Sequence, residues 1–166
     1  MTKMPDDADT MGLRSWLARV LDWEEAHASF DTAVADLPGK LRGSRPDGLP
    51  YSPWQLVEHM RLTQNDVLEF CRPATYVERQ WPADYWPKEA APPSAGAWEE
   101  SLAGFRKDRA ALISMARDPS IDLLAAVPNG RGEQTYAREL LLVADHTAYH
   151  VGELVVVRRL LGAWKG

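Results

Sequence analysis

Apolar and aromatic side chains recur along residues 11–37 in steps of three, four and seven, which is the spacing of one helical face. The positions on this face are Trp16, Val20, Trp23, Phe30, Val34 and Leu37. The pattern predicts a first helix over residues 11–37, ended by the Pro-Gly pair that follows. We expect Trp16 and Trp23 to fill the core. His27 lies within the same stripe, so we expect a core histidine with one hydrogen bond rather than a metal ligand.

Three further tracts show a helical period. They cover residues 53–70, 95–117 and 134–161. The second helix has a clear start, because Ser52 can cap it, Pro53 suits its first turn and Gln55 follows Ser52 by three positions. Ser94 can cap the third helix, and Gly162 can end the last one.

Long irregular connections separate the predicted helices. They cover residues 39–50, 73–93 and 118–132. The 73–93 loop holds Trp81, Tyr85 and Trp86 among five prolines, which indicates an ordered loop packed by its own aromatic rings. These rings could wall a pocket or serve packing alone. No strand alternation and no internal repeat is visible, so the pattern predicts an all-α fold, a four-helix bundle with long connecting loops.

Composition narrows the class of protein. A length of 166 residues with 45% hydrophobic side chains suits one domain over residues 1–166, with residues 1–10 expected as a disordered tail. The net charge of −5 argues against a nucleic-acid partner. The tail lacks the apolar core of a signal peptide, and no apolar run approaches the ~20 residues of a membrane span. With Cys71 as the single cysteine, a reducing cytoplasm and a buried, inert thiol are expected.

The few histidines carry the candidate chemistry. His146 and His150 are four residues apart on the last predicted helix, so both imidazoles can face one ion. Glu153 continues that face, where a carboxylate could bind a metal or orient a ligand. His59 lies beside the apolar stripe of the second helix and can turn inward. The alternative is that these are core histidines with ordinary hydrogen bonds, since a lone HxxxH pattern is a weak signal.

Residues 52–59 read SPWQLVEH, and residues 145–154 read DHTAYHVGEL, followed by RRLLG at residues 158–162. These segments together resemble the DinB/YfiT-like superfamily. The loop motifs WP and YWP and the first-helix motif AHASF are also similar to that superfamily. The order and spacing of these motifs span essentially the whole chain.

The resemblance implies a four-helix bundle, often a homodimer, with a divalent metal such as zinc or nickel. Matched residue by residue, its three ligands would be His59, His146 and His150. Characterised members of the superfamily are thiol-dependent. They include S-transferases that use bacillithiol or related low-molecular-weight thiols, and a mycothiol-dependent maleylpyruvate isomerase. Many others are described as metal-dependent hydrolases. Members frequently have Gln where this chain has Glu153.

Three classes of function follow. A metal held by three imidazoles keeps open positions and could activate water or a thiol toward a small-molecule substrate, with Glu153 as general base or as the group that orients a ligand. The second class is a metal-binding or stress-related bundle whose ion is structural or sensory. The third is a non-catalytic dimeric bundle that binds no metal. The residues do not decide between transfer and hydrolysis, nor do they name the metal.

Overall fold

The computed structural model describes residues 7–165, and the side chains of residues 11–165. Its helices are α1 (Asp7–Val20), α2 (Phe30–Val34), α3 (Pro53–Phe70), α4 (Ala97–Arg117) and α5 (Tyr136–Leu160), with a short 3₁₀ turn at Gly39–Leu41. Helix α3 packs on α4 and α5, and α1 packs on the same two helices, which makes a four-helix bundle. Residues 7–165 contain no strand, so the all-α prediction is confirmed. Residues 7–10 of the expected disordered tail are helical, and residues 1–6 lie outside the described part of the chain.

The predicted first helix over residues 11–37 is two helices, so that prediction is wrong. Helix α1 ends at Val20, and Ser29 caps α2 by accepting a hydrogen bond from the Thr32 backbone N–H. A tertiary contact holds the break, because Arg109 of α4 forms ion pairs with Asp22 on one side of it and Asp31 on the other. The helical period of the apolar residues continues across this break, so the period alone does not reveal it. The ion pairs connect the loop and α2 to Arg109 of α4.

Three side chains near this break, those of Trp16, Trp23 and His27, do not fill the core. The Trp16 side chain is 55% exposed, and Trp23 is half-buried beside it with the ring centroids 6.2 Å apart. His27 is exposed, and its Nδ1 lies 2.9 Å from the backbone oxygen of Ala28. The core role expected for Trp16, Trp23 and His27 is therefore wrong. Trp16 lies on the outer face of α1, whose buried side includes Leu17 and Ala18, and the chain leaves the helical path before it reaches Trp23 and His27.

The other helices begin where the sequence predicts, to within two residues. At the start of α3, Ser52 accepts from the Gln55 backbone N–H at 3.2 Å, and the Gln55 side chain accepts from the Ser52 N–H at 3.3 Å. Ser94 accepts from the Ala97 N–H at 3.2 Å. Thr135 caps α5, and Gly162 follows its end with a φ of +67°. A left-handed residue after a helix end is a conformation that glycine adopts without strain.

The core has two clusters, one toward each end of the bundle. The first joins α2 to the early part of α3 and the late part of α5, with Phe30 stacked on Phe105. The second joins α1 to the late part of α3 and the early part of α5, around Leu68, Leu112 and Leu140. The middle turns of α3 and α5 lie between these clusters.

Helix α5 is also long and apolar enough to cross a membrane by length and composition alone. The core helix of a globular bundle passes the same test, and α5 packs against α1, α2, α3 and α4. Its buried face includes Leu140, Val151 and Leu154. We therefore interpret α5 as the core helix of this bundle.

Candidate metal centre

Three histidines meet between the two core clusters. His59 comes from the middle of α3 and is 1% exposed, whereas His146 and His150 come from successive turns of α5. The Nε2 atom of His59 lies 3.0 Å from Nε2 of His146 and 3.2 Å from Nε2 of His150. The ligand atoms of all three rings lie within 4.8 Å of one another, so these histidines could hold a metal ion.

The contacts of the Nδ1 atoms of His59 and His150 indicate which nitrogen of each ring carries the hydrogen. Nδ1 of His59 lies 2.9 Å from the backbone oxygen of Tyr85, and Nδ1 of His150 lies 2.6 Å from Oε2 of Glu153. A carbonyl or carboxylate oxygen only accepts, so each Nδ1 must donate. In the neutral rings, Nε2 of His59 and Nε2 of His150 are then both bare lone pairs.

Two lone pairs that face each other at 3.2 Å repel unless a cation lies between them. Ligand nitrogens bound at about 2.0–2.1 Å to one metal lie roughly 2.9–3.4 Å apart, depending on whether the geometry is octahedral or tetrahedral. The observed separations of 3.0 and 3.2 Å fall within that interval. The donor set therefore fits a divalent transition metal, for which imidazole is a common ligand.

Burial keeps the imidazoles of His59 and His146 neutral. Desolvation lowers the pKa of His59 to about 4. The hydrogen bond to the Tyr85 carbonyl acts to raise this pKa, and the charge of a protonated His150 acts to lower it. Desolvation likewise lowers the pKa of His146 to about 3, with smaller effects of His150 and His59. Neutral imidazole is the form that binds a metal, so His59 and His146 need no deprotonation at pH 7.

The 73–93 loop covers one side of the site. Trp86 stacks on His59 with centroids 3.7 Å apart and planes 7° from parallel, and Tyr51 stacks on Trp86 with centroids 4.0 Å apart. Trp81 lies further out, with its ring 6.5 Å from that of His59 and its side chain 71% exposed. The structure therefore shows that the rings of this loop pack beside the histidines.

Helix α3 holds this loop in place through Asp66 and Gln55. Asp66 accepts from the Tyr85 hydroxyl at 2.6 Å and from the Tyr76 hydroxyl at 3.0 Å. The Gln55 side chain donates to the backbone oxygen of Pro87 at 3.1 Å. Asp66 follows His59 by seven residues and so lies on the same helical face, which is the only signal in the sequence for its role.

Glu153 reaches the site through His150 and not through the converging nitrogens. Its carboxylate accepts from Nδ1 of His150, and the ring of Tyr149 packs edge-on against that of His150 at 4.9 Å. Glu58 adjoins His59 in sequence but turns away to pair with Arg61 at 2.5 Å. These positions give Glu153 a contact that orients a candidate ligand.

His27 and Cys71 lie outside this centre. His27 lines a separate small cavity beside α4, together with Arg109. Cys71 is 1% exposed at the end of α3, and burial raises the pKa of its thiol to about 12, aided by the charge of Glu139. The expectation of a buried Cys71 is confirmed.

Taken together, a helical bundle with three imidazoles converging from two facing helices defines a candidate metal-binding bundle protein. The family model described as the DinB superfamily matches residues 22–154, which is well over half of the chain. The protein belongs to the DinB superfamily, as its motifs indicated. Comparison with curated proteins and comparison with solved structures gave no match.

Proposed function

We propose that this protein is a metal-dependent enzyme of the DinB type, in which His59, His146 and His150 bind one divalent zinc or nickel ion. The observation that carries the proposal is the approach of the Nε2 atoms of His59 and His150 to 3.2 Å, while the Nδ1 atom of each ring faces an acceptor oxygen. Nitrogens that converge in a buried centre of this kind are favourable ligands for a shared cation.

A divalent metal held by three neutral imidazoles supplies Lewis acidity toward a water or a thiol. The proposed reaction is therefore transfer of a thiol to a small electrophile, or hydrolysis of a small molecule. Membership of the superfamily, whose characterised members act with low-molecular-weight thiols, supports the thiol as the first class of co-substrate to test.

The chain's own groups would prepare this centre. The Tyr85 carbonyl and the Glu153 carboxylate each accept from the outer nitrogen of a ligand ring, which holds both rings with Nε2 toward the centre. Trp86 covers one face of His59 and excludes water there. In this arrangement Glu153 is a positioning residue.

Metal content tests the binding step. We expect near one equivalent of zinc or nickel by plasma mass spectrometry in tag-free wild-type protein, and loss of the metal in His59→Ala and His146→Ala. His27→Ala is the matched control, because His27 is exposed and outside the centre. Protein that takes up no metal even after incubation with zinc and nickel would contradict the proposal.

Turnover tests the catalytic step separately. Metal-loaded and chelator-treated protein would be incubated with a panel of thiols and electrophiles, and conjugates would be detected by mass spectrometry. Metal-dependent conjugation supports a transferase, and metal-dependent hydrolysis without conjugation supports a hydrolase. Stoichiometric metal with neither activity would favour the metal-binding bundle without catalysis. The homodimer and the cytoplasmic location stay predictions from the sequence.

A further inference from the structure

The outward side of α5 carries large apolar side chains that face solvent. Five of them are each at least 41% exposed, namely Leu141, Leu142, Tyr149, Val156 and Leu160. With about 100° between successive helical residues, all five fall within one sector of about 100° around the helix axis. The outward side of a surface helix is normally polar or charged, and a contiguous apolar surface indicates an interaction site.

Two opposite charges lie on the same face of α5, at equal distances from Gly152. Asp145 precedes Gly152 by seven residues and Arg159 follows it by seven, which is about 10.5 Å of helical rise in each direction. Both side chains are exposed, and neither takes part in an ion pair within residues 11–165. They lie about 21 Å apart along one helix, so they cannot pair with each other in the same chain.

A second copy of the chain satisfies both charges when it packs antiparallel on this face. A two-fold axis beside Gly152 brings Asp145 of each copy to the level of the partner's Arg159, so that two opposite-charge pairs form. An axis beside Tyr149 would instead bring Asp145 to the level of the partner's Glu153, and two carboxylates at that distance repel. The charges therefore favour the register centred on Gly152.

Gly152 suits the point of closest approach in that register. A Cβ atom added to Gly152 would meet nothing within 4 Å, so packing within the chain does not require glycine there. Glycine is a poor helix former, and alanine would favour α5 more. Without a side chain, however, the backbone of a facing helix can come closer.

An apolar groove of about 180 Å³ borders this face on one side. Its lining includes Leu49, Tyr51, Leu56, Gly152 and Val156. In the register centred on Gly152, the partner's Tyr149 comes within about one residue's rise of Val156, on the wall of the groove. The face of α5 alone is about 29 Å long and ~10 Å wide, or roughly 300 Å² per copy, against ~800 Å² in a standard interface. The groove enlarges this contact, and we expect a weak dimer.

We infer that α5 of one copy packs antiparallel on α5 of a second copy across Gly152, and that Asp145 and the partner's Arg159 fix the register. The occupant of the face is a second copy because the charge pattern is complementary to itself. The inference depends on the surface of α5 alone, and neither the proposed function nor a bound metal enters it.

Sedimentation velocity of tag-free protein at several concentrations tests this contact. We expect a reversible wild-type dimer with a dissociation constant in the micromolar range. Asp145→Arg and Arg159→Asp each place like charges opposite each other at both pairs, so each should weaken the dimer at least about tenfold. An equimolar mixture of the two variants should form a heterodimer of near wild-type affinity, because the basic positions of one variant then face the acidic positions of the other.

Two further variants test the face itself. Gly152→Arg should fold with unchanged helix content by circular dichroism, because the space around Gly152 is free, and should weaken the dimer at least about tenfold by holding the helices apart. Lys107→Asp is the matched control. It reverses a charge on the exposed side of α4 and should leave the dissociation constant unchanged.

Several results would overturn the inference. Wild-type protein that stays monomeric at every concentration would do so, and its sedimentation with phosphatidylcholine vesicles would assign the apolar face to a membrane instead. A dimer that is equally strong in Gly152→Arg and in both charge variants would use another surface. Loss of the dimer in each charge variant without recovery in the mixture would contradict the antiparallel register.

Discussion

Replacing Tyr85 by phenylalanine tests whether the 73–93 loop prepares His59 for metal binding. The Tyr85 hydroxyl donates to Asp66 at 2.6 Å, and the Tyr85 backbone oxygen accepts from Nδ1 of His59 at 2.9 Å. Tyr85→Phe removes the first contact and leaves the second without its anchor. The phenol is buried enough for desolvation to raise its pKa, as does the hydrogen bond to Asp66, so it stays protonated and donating at neutral pH.

The structure sets the size of the effect. A hydrogen bond to a charged group contributes about 1.5–3 kcal/mol, but Asp66 keeps its bond from Tyr76, so we expect a loss near or below the lower end of that range. Loss of a group that orients a metal-bound histidine usually weakens metal affinity about 10–100-fold. Because the Tyr85 carbonyl remains in the variant, we expect about a 3–10-fold loss of zinc affinity, which corresponds to about 0.7–1.4 kcal/mol.

Competition with a chromogenic chelator would measure zinc affinity, and urea unfolding would measure stability in parallel. Tyr76→Phe is the matched control, because it removes a bond to the same carboxylate while the Tyr76 backbone makes no contact with His59. We expect similar losses of stability in both variants and a loss of affinity only in Tyr85→Phe. Equal affinities in the wild type and in Tyr85→Phe would refute the reasoning, as would equal losses in the two variants.

Three further predictions concern Glu153, Cys71 and Ser52. Glu153→Ala should weaken zinc affinity about 10–100-fold by freeing the ring of His150, whereas Glu58→Ala, at a carboxylate that pairs elsewhere, should leave it unchanged in the same chelator assay. Cys71 should react with an aromatic disulfide reagent at pH 8 far more slowly in folded than in unfolded protein, because a thiol with a pKa of about 12 holds little thiolate; a fast reaction in the native state would contradict this. Ser52→Ala should lower the melting temperature by roughly 2–8 °C, from a cap contribution of about 1–2 kcal/mol, and an unchanged melting curve would show that the cap does not matter here.

Local patterns in the sequence predicted most of the helices correctly. Both hydrogen bonds of the cap formed by Ser52 and Gln55 lie within four residues, so the cap could be predicted from the local sequence. The long helix α5 follows in the same way from its apolar period and its two ends. The prediction of one long first helix was wrong because a distant contact is involved. The segment after α1 pairs with Arg109 of α4, which is 78 residues from Asp31.

The candidate site also combines local features that the sequence predicted with long-range contacts that it did not. The shared face of His146 and His150 follows from their spacing of four residues on one helix, and the resemblance to the superfamily adds His59. The contact that connects Glu153 to His150 is also local, three residues apart. The Tyr85 carbonyl could not be read from the sequence, because a backbone oxygen is present at every position and only its placement distinguishes one from another.

The sequence by itself therefore determined the all-α fold, the starts of α3, α4 and α5 and the shared face of His146 and His150, because each depends on residues within one or two helical turns. Only the tertiary structure decided that His59 meets His146 and His150 at 3.0 and 3.2 Å, across separations of 87 and 91 residues. It also decided that the backbone oxygen of Tyr85, 26 residues from His59 in sequence, lies against Nδ1 of that ring. Such relations follow from how α3 and α5 pack, which depends on the whole core between them.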